Sequence, residues 1–317
     1  MSEVAPPAAG VRVEWSSVPA GVRAALEDWA KSPVVEAVSQ SSGFSPGVAA
    51  RLRLADRRRL FVKAIGSDLN PDSPRFHRQE ARIAAALPEH VPAPRLRWTY
   101  DNEGWVVLVF DEVDGHHPAL PWRDDELDLV LRGLHELAQG LTPSPLSDVR
   151  TASNAVEQRI SGWRLLRDDP LEGLDAWSAH YLDKLADLEA EAASAVHGNT
   201  LLHFDVRADN LLVDDERVWF FDWPHACIGA AWFDVVGFAP SVAMQGGPEP
   251  EALLRRYPGE TEADAQSVTA AVAAVAGFFT RDALLPPPPG LPTLRAFQAA
   301  QGVIARRWLA ERTGWRR

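Results

Sequence analysis

The residue types between positions 203 and 222 are those that a phosphoryl-transfer site needs. Asp205 is followed five residues later by Asn210, and Asp222 comes after two short strand-like stretches joined by an acidic turn. A hairpin there folds the chain back, so Asn210 and Asp222 can face one Mg²⁺ ion, which prefers oxygen ligands. Asp205 precedes the hairpin and can orient an acceptor hydroxyl and take its proton. The spacing therefore predicts transfer of a phosphoryl group to a hydroxyl.

The same segment resembles the aminoglycoside phosphotransferase family, relatives of the protein kinases that also include choline and homoserine kinases. The resemblance rests on three patterns. They are His-x-Asp-x-x-x-x-Asn at 203–210, Phe-Phe-Asp-Trp at 220–223 and Gly-x-x-x-x-Asp at 229–234. Together they are specific enough to imply a shared activity and a shared set of site residues.

The resemblance assigns a role to five residues. It implies that Asp205 is the catalytic base and that Asn210 and Asp222 are the Mg²⁺ ligands. It also implies that His203 shapes the catalytic loop and that Asp234 braces this loop from below. ATP is the expected phosphoryl donor, and GTP is not excluded.

Lys63 supplies an independent indication in the N-terminal half. It lies in the apolar stretch Phe61–Ala64, where an ammonium group is costly to bury unless it reaches a partner. In the family that the chain resembles, the partners are the α- and β-phosphates of the nucleotide and a helix glutamate. Glu80 follows in a helical stretch at a suitable distance along the chain. We therefore expect Lys63 and Glu80 in the nucleotide site.

The loop 41–47 falls where a nucleotide-covering hairpin is expected. It lacks Gly-x-Gly-x-x-Gly, but its small residues would still let backbone N–H groups approach phosphates. We therefore predict that the nucleotide contacts Ser42, Gly43 and Phe44.

The chain changes character at a predicted hinge, 111–115. Before it we expect one helix from Ser17 to about Ala30, a second at 72–87, and a mixed or antiparallel five-stranded sheet with strands at 34–41, 48–54, 59–65, 96–100 and 105–110. After it, apolar stripes at helical period predict helices at 124–139, 152–167, 175–195, 230–244, 261–280 and 291–312.

This pattern predicts a β-rich lobe, a hinge and a helical lobe, and the family resemblance implies that together they form an α+β, bilobal protein-kinase-like fold. Residues 1–113 would form a β-rich nucleotide-binding lobe. Residues 114–317 would form a larger helical lobe with the catalytic loop and the substrate site. By resemblance, the backbone carbonyl of Asp111 and the backbone N–H of Val113 would bind adenine at the hinge.

Composition narrows the class of partner. The net charge of −12 argues against nucleic acid, since such binding depends largely on neutralising phosphates. The single cysteine fits a reducing cytoplasm. Neither a signal peptide nor a membrane span is expected. Monomer and homodimer both stay open.

The acceptor is expected to be a small molecule bound against the helical lobe. Its cationic groups could meet acidic residues, which makes an antibiotic such as an aminoglycoside one possibility; the candidates are Asp168, Asp169, Glu172, Asp175 and the segment near Glu311. Three tryptophans could line the pocket, Trp163, Trp177 and Trp232. Two alternatives are a kinase for a peptide hydroxyl in natural-product biosynthesis and a non-catalytic nucleotide-binding pseudokinase. The combined presence of Lys63, Asp205, Asn210 and Asp222 argues against the second alternative.

Overall fold

A five-stranded sheet forms the framework of the N-terminal part of the computed structural model, which describes residues 5–70, 72–259 and 264–316. The sheet has the order β1-β2-β3-β5-β4, and every neighbouring pair is antiparallel. The strands are β1 (Val34–Ser39), β2 (Val48–Leu54), β3 (Arg59–Gly66), β4 (Leu96–Asn102) and β5 (Trp105–Asp111). The five predicted strands are therefore confirmed, and the sheet is purely antiparallel.

Two helices cover the two faces of this sheet, and strand alternation decides which side chains face each helix. Helix α1 (Ala20–Ala30) packs on the face that carries Val62 and Ala64, whereas α2 (Ser73–Ala86) packs on the opposite face. Successive side chains of a strand point to opposite faces. Lys63 consequently points toward α2, between Phe61 and Ile65, although it lies in a run of apolar residues.

The C-terminal part consists mainly of helices around one large apolar core. Its helices are α3 (Asp124–Gly140), α4 (Ala152–Gln158), α5 (Gly162–Asp168), α6 (Ala176–His180), α7 (Leu182–Ala195), α8 (Phe233–Met244), α9 (Pro250–Arg256), α10 (Ala265–Ala283) and α11 (Leu294–Thr313). Two short antiparallel pairs carry the candidate catalytic segment. Strand β6 (Thr200–Leu202) pairs with β9 (Cys227–Gly229), and β7 (Leu211–Val213) pairs with β8 (Val218–Phe220).

Several predicted boundaries move in the structure. The helix predicted at 230–244 begins at Phe233, and the last helix covers Leu294–Thr313. The helix predicted at 261–280 starts at Thr261, outside the described residues, and α10 is observed from Ala265. The helix predicted at 175–195 is interrupted at Tyr181 between α6 and α7.

The single helix predicted at 152–167 is wrong, because the structure divides it into α4 and α5. Gly162, at the start of α5, lies so close to α10 that a Cβ atom there would be 2.0 Å from the carbonyl oxygen of Gly277. The buried Glu189 of α7 accepts hydrogen bonds from the backbone N–H groups of Trp163 and Arg164, at 3.0 and 2.9 Å. A side chain from another helix thus satisfies amide groups that a continuous helix would bond internally.

The segment after the hinge joins the two parts of the molecule. His116 exchanges backbone hydrogen bonds of 3.0 and 2.8 Å with Val213 of β7. Phe220 of β8 donates its backbone N–H to Pro92, which precedes β4. The hairpin that leads to Asp222 is therefore anchored on both sides of the cleft. Among the described residues, no helix is long and apolar enough to cross a membrane.

Candidate active site

Lys63 lies between two carboxylates contributed by distant parts of the chain. Its Nζ donates to Glu80 Oε1 at 2.7 Å and to Asp222 Oδ1 at 3.0 Å. Lys63 and Glu80 are 7% and 3% exposed, so the pair is shielded from water. The structure therefore brings together three residues that the sequence assigned to the nucleotide and metal sites.

Burial and mutual charge set the protonation of this group. Although burial opposes its charge, the two carboxylates raise the pKa of Lys63 above its ordinary value. Burial also opposes ionisation of Asp222, but the Lys63 charge prevails and lowers the pKa of Asp222 below its usual range. Burial, together with the charge of Asp222, raises the pKa of Glu80 to about 7 even though Glu80 contacts Lys63. The ammonium group and Asp222 are thus the charged partners.

Asp205 lies in the loop between β6 and β7 and is joined to Asn210 through the amide of that residue. Asn210 Nδ2 donates to the backbone carbonyl of Asp205 at 2.8 Å and to Asp205 Oδ2 at 3.2 Å. The backbone carbonyl of Asn210 accepts a hydrogen bond from the backbone N–H of Phe221 at 3.2 Å. Loop and hairpin are consequently held in one unit, with Asp205, Asn210 and Asp222 close together.

Two buried side chains determine the shape of this loop. Asp234, near the start of α8, accepts the backbone N–H groups of His203 and Phe204, both at 2.8 Å. His203 Nε2 lies 2.9 Å from the carbonyl oxygen of Phe221, and Nδ1 accepts the backbone N–H of Asp205 at 3.3 Å. Burial lowers the pKa of His203 to about 4, so the imidazole is neutral with its proton on Nε2. This neutral tautomer satisfies both hydrogen bonds at once.

The same hydrogen bonds stabilise unusual backbone conformations. Phe204 and Asp222 have φ angles of 65° and 70°, in the left-handed region that non-glycine residues seldom adopt. Asp205 continues the catalytic loop after Phe204, and Trp223 continues the turn after Asp222. Strained residues of this kind persist where the surrounding structure over-determines them, and they concentrate at functional sites.

Arg207 is a site residue that the sequence reasoning missed. Its guanidinium donates to Asp205 Oδ1 and, through Nε and Nη2, to both carboxylate oxygens of Asp209 at 3.0 and 2.9 Å. The side chain of Asp209 is consequently only 8% exposed. A basic residue two positions after Asp205 was the available signal, but only the folded loop shows that it contacts the carboxylates.

Arg207 also adjusts the basicity of Asp205. Burial raises the pKa of Asp205 to about 6, and the positive charge of Arg207 limits this rise. A carboxylate with a pKa near 6 is largely ionised at neutral pH yet a better proton acceptor than an exposed aspartate. Position and protonation state are both those of a general base.

The oxygen atoms near Asp222 are suited to a divalent metal ion. Asn210 uses its side-chain N–H₂ group on Asp205, and its side-chain oxygen Oδ1 accepts no hydrogen bond from the described residues. Asp222 is ionised and uses only Oδ1 on Lys63. One amide oxygen and one carboxylate oxygen are left, which is the kind of donor that Mg²⁺ prefers when substrate phosphates complete its shell.

A cleft of about 990 Å³ between the sheet and the catalytic loop contains the predicted nucleotide residues. Lys63, Glu80 and Asp222 lie along its polar side, and Ala49, Phe110 and Leu212 lie along its apolar side. The predicted hinge residues Asp111 and Val113 also line this cleft. Its lining therefore includes a charged part suited to phosphates and an apolar part suited to a base.

The loop 41–47 places its residues on two different sides. Ser42 and Gly43 line the nucleotide cleft, and Ser42 Oγ lies 3.0 Å from His117 Nε2. Phe44 instead packs edge-on against Phe297 of α11, with 5.1 Å between ring centroids, and lines the neighbouring cavity. The side chain of Phe44 therefore faces away from the nucleotide cleft.

Arg12 is a second residue that sequence reasoning missed. Its guanidinium donates to the backbone carbonyls of Ser42 and Ser45 and lines the nucleotide cleft. The N-terminal segment pairs with the loop 41–47 through bridges from Ala9 and Arg12. No local pattern near Arg12 indicates this contact, because it depends on a segment that lies about 30 residues further along the chain.

A second cavity, about 1750 Å³, opens beside Asp205. Asp222 lines both cavities, so the two spaces meet at the candidate metal site. The second cavity is where an acceptor hydroxyl would approach Asp205. Phenylalanine rings form much of its lining, namely those of Phe44, Phe76, Phe204, Phe233, Phe278, Phe279 and Phe297.

The acidic residues predicted to bind a cationic acceptor do not line this cavity. Asp175 caps α6 and forms an ion pair with Arg306 at 3.1 Å, and Glu311 is exposed on α11. Ile160 does line the cavity, but α5 then carries the chain away by roughly 1.5 Å per residue to the exposed Asp168. The acidic loop formed by Asp168, Asp169 and Glu172 consequently lies beyond the cavity lining.

The three tryptophans predicted to line the acceptor pocket pack in other parts of the protein instead. Trp163 is fully buried and donates its indole N–H to the carbonyl of Ala273. Trp177 packs beside Tyr181 and Trp315, and Trp232 is buried next to Phe233. Aromatic residues that pack the core cannot be told from pocket residues by sequence spacing alone.

The site and the fold define a bilobal phosphotransferase of the protein-kinase-like type. The model of the phosphotransferase enzyme family (APH) matches residues 41–275, which is more than half of the chain. The chain therefore belongs to this family and is a phosphotransferase enzyme. A search of curated protein sequences found no significant match.

Solved structures share the fold at low sequence identity. A thermostable mutant of aminoglycoside phosphotransferase APH(4)-Ia, in ternary complex with AMP-PNP and hygromycin B, is 14% identical with a TM-score of 0.62, covering 91% of this chain and 98% of that one. A choline/ethanolamine kinase family protein from Mesorhizobium loti is 17% identical with a TM-score of 0.57, covering 87% and 88%. An amicoumacin kinase in complex with AMP-PNP, Ca²⁺ and Ami is 11% identical with a TM-score of 0.57, covering 92% and 93%.

Proposed function

We propose that this enzyme transfers the γ-phosphoryl group of ATP to a hydroxyl of a small molecule in the cytoplasm, with Asp205 as the base. The observation that carries the proposal is the junction of two cavities at Asp222. One cavity contains Lys63 and the hinge, and the other opens beside Asp205. A donor and an acceptor bound in these two spaces would meet at the loop that holds Asp205.

The chemistry assigned to the chain's own residues is simple. Asp205 accepts the proton of the acceptor hydroxyl, whose oxygen forms a bond to the γ-phosphorus. The bond between that phosphorus and the β–γ bridging oxygen breaks, and ADP leaves with the electron pair. Asn210 holds Asp205 through two hydrogen bonds, so the base is oriented before the acceptor arrives.

Residues on the donor side would bind and neutralise the nucleotide. Lys63, held by Glu80, would contact the α- and β-phosphates, while Ser42 would offer its backbone N–H group. The backbone N–H of Gly43 is already donated to the carbonyl of Ala8 at 3.0 Å. Asp111 and Val113 would bind the base through the backbone. Asn210 and Asp222 would hold Mg²⁺, which supplies charge neutralisation on the phosphates when bound. GTP would fit the same description and belongs in the assay.

The acceptor is the part of the function that the family leaves open. One solved neighbour contains hygromycin B, and another belongs to the choline/ethanolamine kinase family. Those names support a small hydroxylated acceptor here. By themselves they would suggest a cationic antibiotic, but the arginines that line the acceptor cavity do not favour one. A peptide acceptor has no comparable support and serves as a control.

The test is a phosphorylation assay with purified enzyme, Mg²⁺ and either ATP or GTP. Aminoglycosides, choline-like alcohols, hydroxy acids and a hydroxyl-containing peptide are supplied in turn, and products are identified by mass spectrometry. We expect a small-molecule product that gains one phosphoryl group only when Asp205 is intact. Transfer to the peptide alone, or a product that forms equally well with Asp205→Ala, would overturn the proposal.

A further inference from the structure

The cavity beside Asp205 has an unusual charge distribution for a site meant for polycations. Three arginines line it: Arg207 is paired with Asp205 and Asp209, whereas Arg150 and Arg159 are the two considered next. Arg150 precedes α4, and its backbone carbonyl accepts a hydrogen bond from Ile228 of β9 at 3.0 Å. The guanidinium donates to the backbone carbonyl of His225 at 3.1 Å and lies 5.6 Å from the ring centroid of Phe204. Arg150 is thus held next to the residue that precedes Asp205.

Neither guanidinium forms an ion pair with a carboxylate in the part of the chain that the structure describes. Arg150 uses one N–H on a neutral carbonyl, and the side chain of Arg159 forms no hydrogen bond there. Arg75, exposed on α2, adds a further positive charge in the neighbourhood. Burial and then the charges of Arg159 and Arg75 lower the pKa of Arg150, as expected for cations placed close together.

The carboxylates of the same cavity do not compensate these charges. Asp205 accepts from Arg207, Asp222 accepts from Lys63, and Asp234 accepts two backbone N–H groups. Asp72 is the remaining one in the lining and is exposed at the start of α2. Each inward carboxylate therefore already has a donor, while the two arginines retain unused donors.

His225 lies in the positive electrostatic potential that these arginines create. Its half-buried ring is part of the same lining and packs against Phe76, with 5.3 Å between ring centroids. Burial lowers the pKa of His225 to about 3, and the charges of Arg159, Arg150 and Arg207 act in the same direction, against Asp222. A further cation at this position would meet the same repulsion that the imidazole meets.

We infer that the acceptor carries an anionic group, a carboxylate or a phosphate, that binds Arg150 and Arg159, and an apolar body that packs on the phenylalanine rings. The inference rests on the proposed function, since it names the acceptor of that same site. Guanidinium groups offer paired N–H donors that match both kinds of anion. The overall charge of −12 does not outweigh them, because surface charges are screened over about 8 Å at physiological salt.

The test uses matched acceptors that differ in one group. Each probe has a phenyl or alkyl body and one free hydroxyl, and bears in turn a carboxylate, a phosphate monoester, a primary amide or an amine. Hygromycin B is the polycationic probe. The kcat and KM of each are measured with Mg²⁺-ATP for the wild type and for Arg150→Ala, Arg150→Lys and Arg159→Ala. The control is Arg132→Ala, which removes an exposed arginine of α3 that lines neither cavity.

We expect the acidic probes to be accepted with kcat/KM at least about tenfold above the amide, because a hydrogen bond to a charged group contributes more than one to a neutral group. Arg150→Ala should raise the KM of the acids about tenfold to hundredfold and change that of the amide less than about twofold. Arg150→Lys should recover part of the loss. Comparison of carboxylate with phosphate monoester shows which anion is preferred. Unchanged thermal unfolding and ATP affinity would show that the variants fold.

Two outcomes overturn this inference while leaving the proposed function intact. One is preferred, Asp205-dependent transfer to the amine probes or to hygromycin B. The other is acid turnover whose KM responds to neither arginine. Absence of Asp205-dependent transfer to any probe, whatever its charge, would count against the proposed function as well.

Discussion

The two cavities that meet at Asp222 differ in how their charges are balanced. On the nucleotide side, Lys63 lies between two carboxylates, and each of its partners comes from a different element. On the acceptor side, Arg150 and Arg159 have no carboxylate partner within the described residues. The first arrangement is complete without a ligand, whereas the second has donors left for one. This difference indicates that the donor side is preorganised and that the acceptor side selects its ligand by charge.

Asp205→Asn is the change expected to have the largest effect, since it removes the proposed general base. We expect kcat to fall by about 10²–10⁴-fold, the range for loss of a general base. Nucleotide affinity should stay within about twofold, because Asp205 lines only the acceptor cavity. Steady-state kinetics and nucleotide titration by calorimetry provide the measurements. Normal turnover in this variant would show that another group accepts the proton.

Lys63→Met removes the positive charge that lies between the two carboxylates on the nucleotide side. It leaves Glu80 and Asp222 buried without their cation, so we expect kcat/KM for ATP to fall about 10²–10³-fold. Stability should fall by about 3–5 kcal/mol, the usual cost of breaking a buried pair. The double variant Lys63→Met/Glu80→Gln is the control. It should regain stability but not activity, and recovery of both would argue against a role for Lys63 in nucleotide binding.

Glu189→Gln tests the scaffold behind the acceptor side, where Glu189 caps α5 next to the cavity residues Arg159 and Ile160. Burial raises the pKa of Glu189 to about 7, from 4.5 for an exposed glutamate. A raised carboxyl pKa means that the folded state holds the proton more tightly, so the stabilising contribution is present at low pH and is lost as pH rises from about 4.5 to 7. We expect the free energy of unfolding of the wild type to drop by about 3 kcal/mol relative to the variant across this window.

The measurement is urea unfolding of both proteins at several values between pH 4 and pH 8. Parallel pH profiles would show that the two backbone N–H groups compensate the burial of Glu189. The affinity for nucleotide should be the same in the variant, since Glu189 belongs to the helical core far from the sheet.

Arg12→Ala should have the smallest effect of the four. The guanidinium supports the backbone of the loop 41–47 rather than a reacting atom. We expect KM for ATP to rise about tenfold, near the loss of one charged hydrogen bond, with kcat little changed. Arg132→Ala again serves as the control. A fall in kcat alone would place Arg12 closer to the transferred phosphoryl group than its backbone contacts indicate.

The donor side was largely predictable because its chemistry lies in short segments. Asn210 and Asp222 flank one hairpin and Asp205 lies in the loop before it, so local spacing brings them together. Lys63 stood out because a charge in an apolar strand needs a partner, and Glu80 lay on the next helix. The prediction of an acidic subsite for a cationic acceptor was wrong for the opposite reason. Its acidic residues were close along the chain, but α5 places them away from the cavity lining.

The amino-acid sequence by itself determined the strand and helix framework, the catalytic loop and the residues suited to bind metal and nucleotide. These features depend on side-chain periodicity and on contacts between near neighbours. Only the tertiary structure decided the break at Gly162, the contact of Arg12 with the loop 41–47 and the approach of Arg150 to Phe204. Each of these joins residues at least 30 positions apart, and no local pattern encodes which distant surfaces will pack together.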